Sequence, residues 1–254
     1  MISKSDIKVI RSLQIKKFRV EHNLFICEGE KLLQELLRSD YKIRSLYLTE
    51  LHAEKIGNID IKDFPITICS QKDMEKISAL HTPPGILATV EQKKVDVQSL
   101  SIKNEWSLAL DSIRDPGNIG TIIRLAHWFG IKQIVCNEDC VDIYNPKVVQ
   151  SSMGSIFHVN MAIENISKVL IPLANKIQLP MYAADMSGDN VYRLSFGNKG
   201  LLIIGNESNG LSKEILNQVT QKICIPNFGG LNAAESLNAA NACGILLSEI
   251  KRNA

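Results

Sequence analysis

Five residues of this chain combine a useful side chain with a suggestive setting: Asn118, Arg124, Glu207, Ser236 and Asn238. Each lies in or just after a loop rich in Gly, Asn and Pro. The first loop opens L-D-S-I-R-D-P-G-N-I-G-T-I-I-R-L-A, from Leu110 to Ala126. Asp115-Pro116-Gly117 reads as a turn, and Asn118 can cap the helix that follows. Ile119, Ile122, Ile123 and Ala126 form one apolar face, which places Arg124 near the opposite side. An arginine there is set to grip phosphate or carboxylate with its two-pronged donor geometry. Taken alone, it reads first as an exposed helix arginine in surface ion pairs. The second loop, L-L-I-I-G-N-E-S-N-G-L (Leu201 to Leu211), brings a buried strand into Gly205 and Asn206 and holds Glu207 in the turn. The third starts as a short strand, Ile223 to Ile225, and stops at Pro226, which cannot donate to a sheet ladder. Gly229 and Gly230 then permit close backbone approach, and Ser236 and Asn238 sit at a helix start. Ala239, Ala242, Cys243, Leu246 and Ile250 recur at helical spacing beyond them.

These loops need a frame. From Trp106 onward strands and helices alternate: strands at 106–111, 133–136, 157–161, 180–184 and 201–205, and helices at 118–129 and 145–153. Such alternation predicts an α/β fold with a mostly parallel sheet covered on both faces. Ligands of such sheets bind at the C-terminal strand ends, where all three loops fall. Residues 1–92 read as a separate small α/β domain, with helices at 7–18, 28–37 and 71–78 and strands at 25–27, 43–48, 67–69 and 85–90. Residues 93–105, polar and aperiodic, read as a linker to the 106–254 domain. Lys4, Lys8, Arg11, Lys16, Lys17 and Arg19 face one acid, Asp6, over the first nineteen residues. That segment is either a solvated helix face or an electrostatic footprint for nucleic acid.

Several classes are excluded. No apolar run reaches membrane-spanning length, and the N-terminal M-I-S-K-S-D-I-K lacks a signal-peptide apolar region. Six cysteines are scattered without zinc spacing, so reduced thiols in a cytoplasmic protein and no metal site are expected. Neither a G-x-G-x-x-G fingerprint nor a Walker A loop is present, against a nucleotide-binding metabolic enzyme.

In order, D-P-G-N-I-G-T-I-I-R, I-I-G-N-E-S-N-G-L, and I-C-I-P-N-F-G-G followed by E-S-L-N-A-A resemble the three motifs of the SpoU (TrmH-like) RNA ribose methyltransferases of the SPOUT superfamily. S-S-M-G-S-I-F-H (Ser151 to His158) resembles the stretch between the first two. The N-terminal K-K-F-R and C-E-G-E-K are similar to the RNA-substrate-binding domain often fused ahead of this domain. The resemblance implies a knotted α/β domain and a homodimer with the site at the subunit interface. S-adenosylmethionine would be the cofactor, held by Gly205, Asn206, Ile225, Pro226, Gly230 and Leu237. Arg124, Asn118, Glu207, Ser236 and Asn238 match catalytic and site-shaping positions, and Arg11, Lys16, Lys17 and Arg19 become RNA-binding candidates. The implied reaction is methyl transfer to a ribose 2′-hydroxyl of structured RNA, first of all rRNA. A tRNA substrate, or a non-catalytic RNA-binding protein on the same fold, are the alternatives. The loop from Pro226 to Ser236 is longer than the family's compact form, and Asn241 stands where a small or apolar residue is usual.

Overall fold

The computed structural model describes residues 2–56, 64–229 and 235–252. They form two compact units, one built from residues up to Lys93 plus Asp142–Phe157, the other from Lys94–Val141 and His158 onward.

The first unit opens with α1 (Lys4–Ser12) and α2 (Lys16–His22), followed by β1 (Leu24–Glu28), α3 (Glu30–Leu37) and β2 (Ile43–Leu48). α4 (Glu50–Ile56), β3 (Ile66–Ile68), α5 (Gln71–Ile77) and β4 (Ile86–Glu91) complete its run. The strand order is β1-β4-β2-β3, with β4 antiparallel to both neighbours and β2 parallel to β3. The sequence predicts one helix over 7–18, but the chain breaks it at Leu13–Ile15. Ser12 Oγ donates back to Val9 O at 2.6 Å, and Ile15 is extended. Leu13 is fully buried at the break, and its carbonyl accepts from Arg19 Nη1 at 2.7 Å. Glu28, expected to start a helix, instead ends β1. There it accepts from Ser78 Oγ at 2.5 Å and Ala79 N at 2.8 Å. Burial pushes its carboxyl up, against the lowering effect of those two bonds.

The second unit begins with β5 (Trp106–Leu110), α6 (Pro116–Trp128) and β6 (Gln133–Cys136). The chain then contributes α7 (Pro146–Ser151) to the first unit, where Tyr144 stacks on Phe25 with ring centroids 4.6 Å apart. The linear division of the sequence assigns this segment to the C-terminal domain; its contacts are with β1. β7 (Asn160–Ile163), α8 (Ile171–Lys176), β8 (Met181–Asn190), β9 (Gly200–Ile204), α9 (Lys213–Leu216), β10 (Gln221–Cys224) and α10 (Ala239–Lys251) finish the second unit. Its six strands are all parallel, in the order β10-β8-β9-β5-β6-β7. Every residue of β5 and β9 is buried, as expected for central parallel strands covered on both faces. β8 runs past the expected 180–184 to Asn190, and Gly188 permits this. A Cβ there would stand 2.5 Å from the Ile223 nitrogen of β10.

Candidate functional site

β5, β9 and β10 point their C-terminal ends the same way, so the loops that follow them gather at one edge of the sheet. In the first loop the N-cap is Asp115, not Asn118. Its Oδ1 accepts from Asn118 N at 2.9 Å while Pro116 takes the first helical position. With capping done by Asp115, the Asn118 side chain is released for other partners. The apolar face of α6 is as expected: Ile119, Ile122, Ile123 and Ala126 are all fully buried. Arg124 is exposed on the other side and makes no hydrogen bond or ion pair among the described residues.

The second loop is locked by its own backbone. Asn206 N donates to Gly210 O at 3.1 Å and Gly210 N to Asn206 O at 2.9 Å. A Cβ on Gly205 would lie 2.5 Å from the Gly210 carbonyl carbon, so this closure tolerates no side chain. Gly210 itself has φ +65°, the left-handed conformation that glycine adopts without cost. The Asn206 amide reaches across to the first loop, donating to Ser112 O at 3.0 Å, while its Oδ1 accepts from Ser208 N at 3.0 Å. Ser112 is held at φ +57°, a rare conformation for a side-chain-bearing residue, at the point where the two loops meet.

In the third loop, Asn238 caps α10, its Oδ1 accepting from Ala240 N at 3.0 Å and Asn241 N at 3.2 Å. Its amide then donates to Asn118 Oδ1 at 2.9 Å, and Asn118 Nδ2 donates to Glu207 Oε1. Three loops far apart in sequence are thereby joined through one directional chain. Helix N–H groups donate to Asn238, Asn238 donates to Asn118, and Asn118 donates to Glu207. Each amide's orientation follows from its neighbour, because an ionised carboxylate only accepts and a backbone N–H only donates. The α10 N-terminus, the positive end of that helix, is thus connected to the Glu207 anion through two polarised amides. α10 packs against α6 where Gly244 faces Leu125; a Cβ there would meet the Leu125 methyls at 3.4 Å, about ordinary contact distance.

The structure therefore brings Asn118, Glu207 and Asn238 into contact, with Arg124 exposed on the same helix as Asn118. Ser236 is exposed and has no hydrogen bond among the described residues; the α10 helix starts after it, at Ala239. Gly205, Asn206, Ile225 and Pro226 are half-buried, and Leu237 is 47 % exposed. Gly230 lies outside the described residues. Arg11, Lys16 and Lys17 are exposed. Arg19 is not: it is 2 % exposed, and its Nη2 pairs with Asp142 Oδ2 at 2.5 Å. Its guanidinium is consumed inside the first unit, which removes it from the RNA-binding candidates. Two residues not singled out from the sequence also shape the site. Buried Asp111 accepts from Asn137 Nδ2 at 2.8 Å and from Ser212 N at 3.2 Å, tying the first two loops to the strand ends beneath them. Asp115 supplies the helix cap. Both stand in the quoted motif, where acids beside a turn signal a cap or clamp. Among the described residues no group of three or more His, Cys, Asp or Glu is arranged to hold a metal ion. No helix among them is long and apolar enough to cross a membrane.

This arrangement of strand-end loops has close counterparts. The model of the SpoU rRNA Methylase family matches residues 105–248. The chain belongs to that family. Within the same chain, residues 4–88 match an MRM3-like substrate binding domain. A full-length relative of this SpoU-family protein is the 23S rRNA (guanosine(2553)-2'-O)-methyltransferase RlmP of Bacillus subtilis. It is 26% identical over 248 residues, covering 96% of this chain and 95% of that one. Among solved structures, one from Porphyromonas gingivalis ascribed to the TrmH family of RNA methyltransferases has a TM-score of 0.87 and 32% identity over 100% of both chains. An AdoMet-bound rRNA methyltransferase from Sinorhizobium meliloti gives 0.85 and 28%, over 99% of this chain and 97% of the other. The second unit thus has the α/β fold of SpoU and TrmH methyltransferases, preceded by a small N-terminal domain.

Proposed function

We propose that this protein transfers a methyl group from S-adenosylmethionine to a ribose 2′-hydroxyl of rRNA. The observation that carries the proposal is the Asn238–Asn118–Glu207 chain, which joins the three motif loops at the C-terminal edge of the parallel sheet.

The residues present suit the cofactor. Past Cys224 the chain leaves the sheet ladder, and Ile225, Pro226 and Leu237 offer apolar surface beside main-chain groups. Gly205 keeps the neighbouring turn narrow. Ile225, Pro226 and Leu237, with the backbone of Gly205 and Asn206 and the Gly230 segment of the third loop, would hold the adenosine. S-adenosylmethionine, when bound, supplies an electrophilic methyl on a sulfonium. Arg124 donates to a phosphate of the target nucleotide, which a guanidinium recognises in bidentate fashion, and so fixes the ribose. A guanidinium cannot accept a proton, so the hydroxyl proton leaves to an acceptor other than Arg124, such as the target's own phosphate or water. Asn118 and Asn238 hold Glu207 and the α10 N-terminus in one arrangement, and Ser236 orients the ribose. The rate gain comes from alignment, because in-line displacement demands it.

On this reading the protein works in the cytoplasm as a homodimer, with its C-terminal segment threaded in a knot and the site at the subunit interface. Exposed Phe228 and Leu237 beside the third loop support such an interface. Arg11, Lys16 and Lys17 on the first unit contribute to rRNA attraction. The test is transfer of labelled methyl to purified 23S rRNA, 16S rRNA and tRNA in parallel. Label confined to rRNA supports the proposal, and label confined to tRNA overturns its substrate.

A further inference from the structure

A cavity of about 620 Å³ opens in the first unit, where β2 and the parallel β3 end. One wall is the His52 ring. Its Nδ1 is hydrogen-bonded to Thr49 Oγ1 at 2.8 Å, and the ring fills the space where a side chain on residue 85 would stand. A Cβ on Gly85 would lie 2.3 Å from the ring nitrogen. Gly85 has φ +74°, and its carbonyl accepts from Thr49 N at 3.0 Å. The ring is therefore fixed by Thr49 and by its packing on Gly85 before any ligand arrives. Pro83, Pro84 and Leu51, the last 59 % exposed, supply apolar surface. Gln71 brings an amide to the lining, while the Ser70 hydroxyl is taken up by Asp73, donating to its Oδ2 at 2.9 Å. Among the described residues that line it, Glu50 is the one charged side chain.

This lining selects a ligand class. A phosphate would need cations, and the described residues of the lining include no lysine or arginine. A flat, uncharged heterocycle with a polar edge fits instead: a ring to stack on, apolar walls, and an amide that can pair with donor–acceptor edges. The volume lies within the range of small-ligand pockets, enough for one base and its ribose. Lys72, next to Gln71 in sequence, is exposed and is not part of the lining. We propose that this cavity takes one unpaired nucleobase of the rRNA, a nucleotide other than the methylated one. The proposal rests on the reading of the first unit as the rRNA-binding part of the enzyme.

The test uses the full chain with six-nucleotide homopolymers of A, C, G or U, followed by fluorescence anisotropy, alongside purified 23S rRNA. At least one homopolymer binds, and His52→Ala and Gln71→Ala each weaken it about fivefold or more, as expected for loss of base stacking or an edge contact. S-adenosylmethionine affinity stays at the wild-type value in both variants, and Tm stays there in Gln71→Ala. If His52→Ala misfolds, Gln71→Ala on the exposed start of α5 still decides. Photo-cross-linking with 5-iodouridine oligonucleotide then adds label on the peptides carrying His52 or Pro84. Variants that bind the oligonucleotide as wild type does, or cross-links elsewhere, overturn the pocket. Binding of 23S rRNA without any homopolymer binding also overturns the pocket while leaving the unit's RNA-binding role intact. Binding of neither overturns both.

Discussion

Asn118→Ala removes both inner links of the chain that joins the motif loops. Glu207 loses its donor and Asn238 loses its acceptor. A hydrogen bond to a charged acceptor contributes about 1.5–3 kcal/mol and a neutral one about 0.5–1.5. Glu207 is half-buried and Asn238 exposed, so water replaces part of each loss and the lower ends apply. Their sum, about 2 kcal/mol, corresponds to roughly thirtyfold in the equilibrium constant for assembling the site, so single-turnover methyl transfer should fall by between about threefold and thirtyfold. Asn118→Asp sharpens the test. It is nearly isosteric but sets a carboxylate against Glu207, so at about pH 7 it should fall below the alanine variant. Two facing carboxyls raise the pKa of the pair, so the attractive, proton-sharing form exists below that raised pKa and is lost as pH rises through it. Asn118→Asp should therefore recover relative to wild type as pH falls toward about 5. Transfer by Asn118→Ala within about threefold of wild type, or an aspartate variant that equals the alanine at every pH, would refute the positioning role.

Arg124→Ala should abolish transfer and leave S-adenosylmethionine affinity unchanged by calorimetry, since this exposed side chain is free to face the RNA; Arg124→Lys should not restore the rate. Gly205→Ala drives a Cβ to 2.5 Å from rigid backbone and should cost about 1–3 kcal/mol, read as a lowered Tm together with weakened cofactor binding. Asp142→Ala leaves the Arg19 charge buried and unpaired and should cost about 3–5 kcal/mol in denaturant unfolding. Lys16→Glu with Lys17→Glu, by contrast, should leave stability unchanged. That pair should weaken rRNA binding and make it less sensitive to salt, because each phosphate left without its lysine keeps its counterion.

The strands and the three loops are legible because Gly, Pro and Asn punctuate strongly and central parallel strands read as unbroken apolar runs, as in L-L-I-I before Gly205. The cap of α6 is not. Asp115 and Asn118 are both good caps three residues apart, and only the free energy gained from the Glu207 and Asn238 partners decides between them. Arg19 misleads for a related reason. A count of charges along a segment cannot see Asp142, a carboxylate 123 residues away in sequence that takes one of them into the interior. Nor does an apolar face on α7 reveal which sheet it covers. Val148 and Val149 fit either unit by pattern, and Tyr144 stacked on Phe25 settles it. Lastly, M-S-G-D-N after Asp185 has turn composition, yet it continues β8 because Gly188 lets the β10 backbone pass.

The most direct measurement takes rRNA from a strain lacking this gene, methylates it with labelled S-adenosylmethionine, and maps the label by alkaline hydrolysis and mass spectrometry. Label on the 2′-oxygen of a single nucleotide, lost with Arg124→Ala, is the predicted result. Label on a base, or cofactor binding with no transfer to free rRNA or to ribosomal particles, would contradict it.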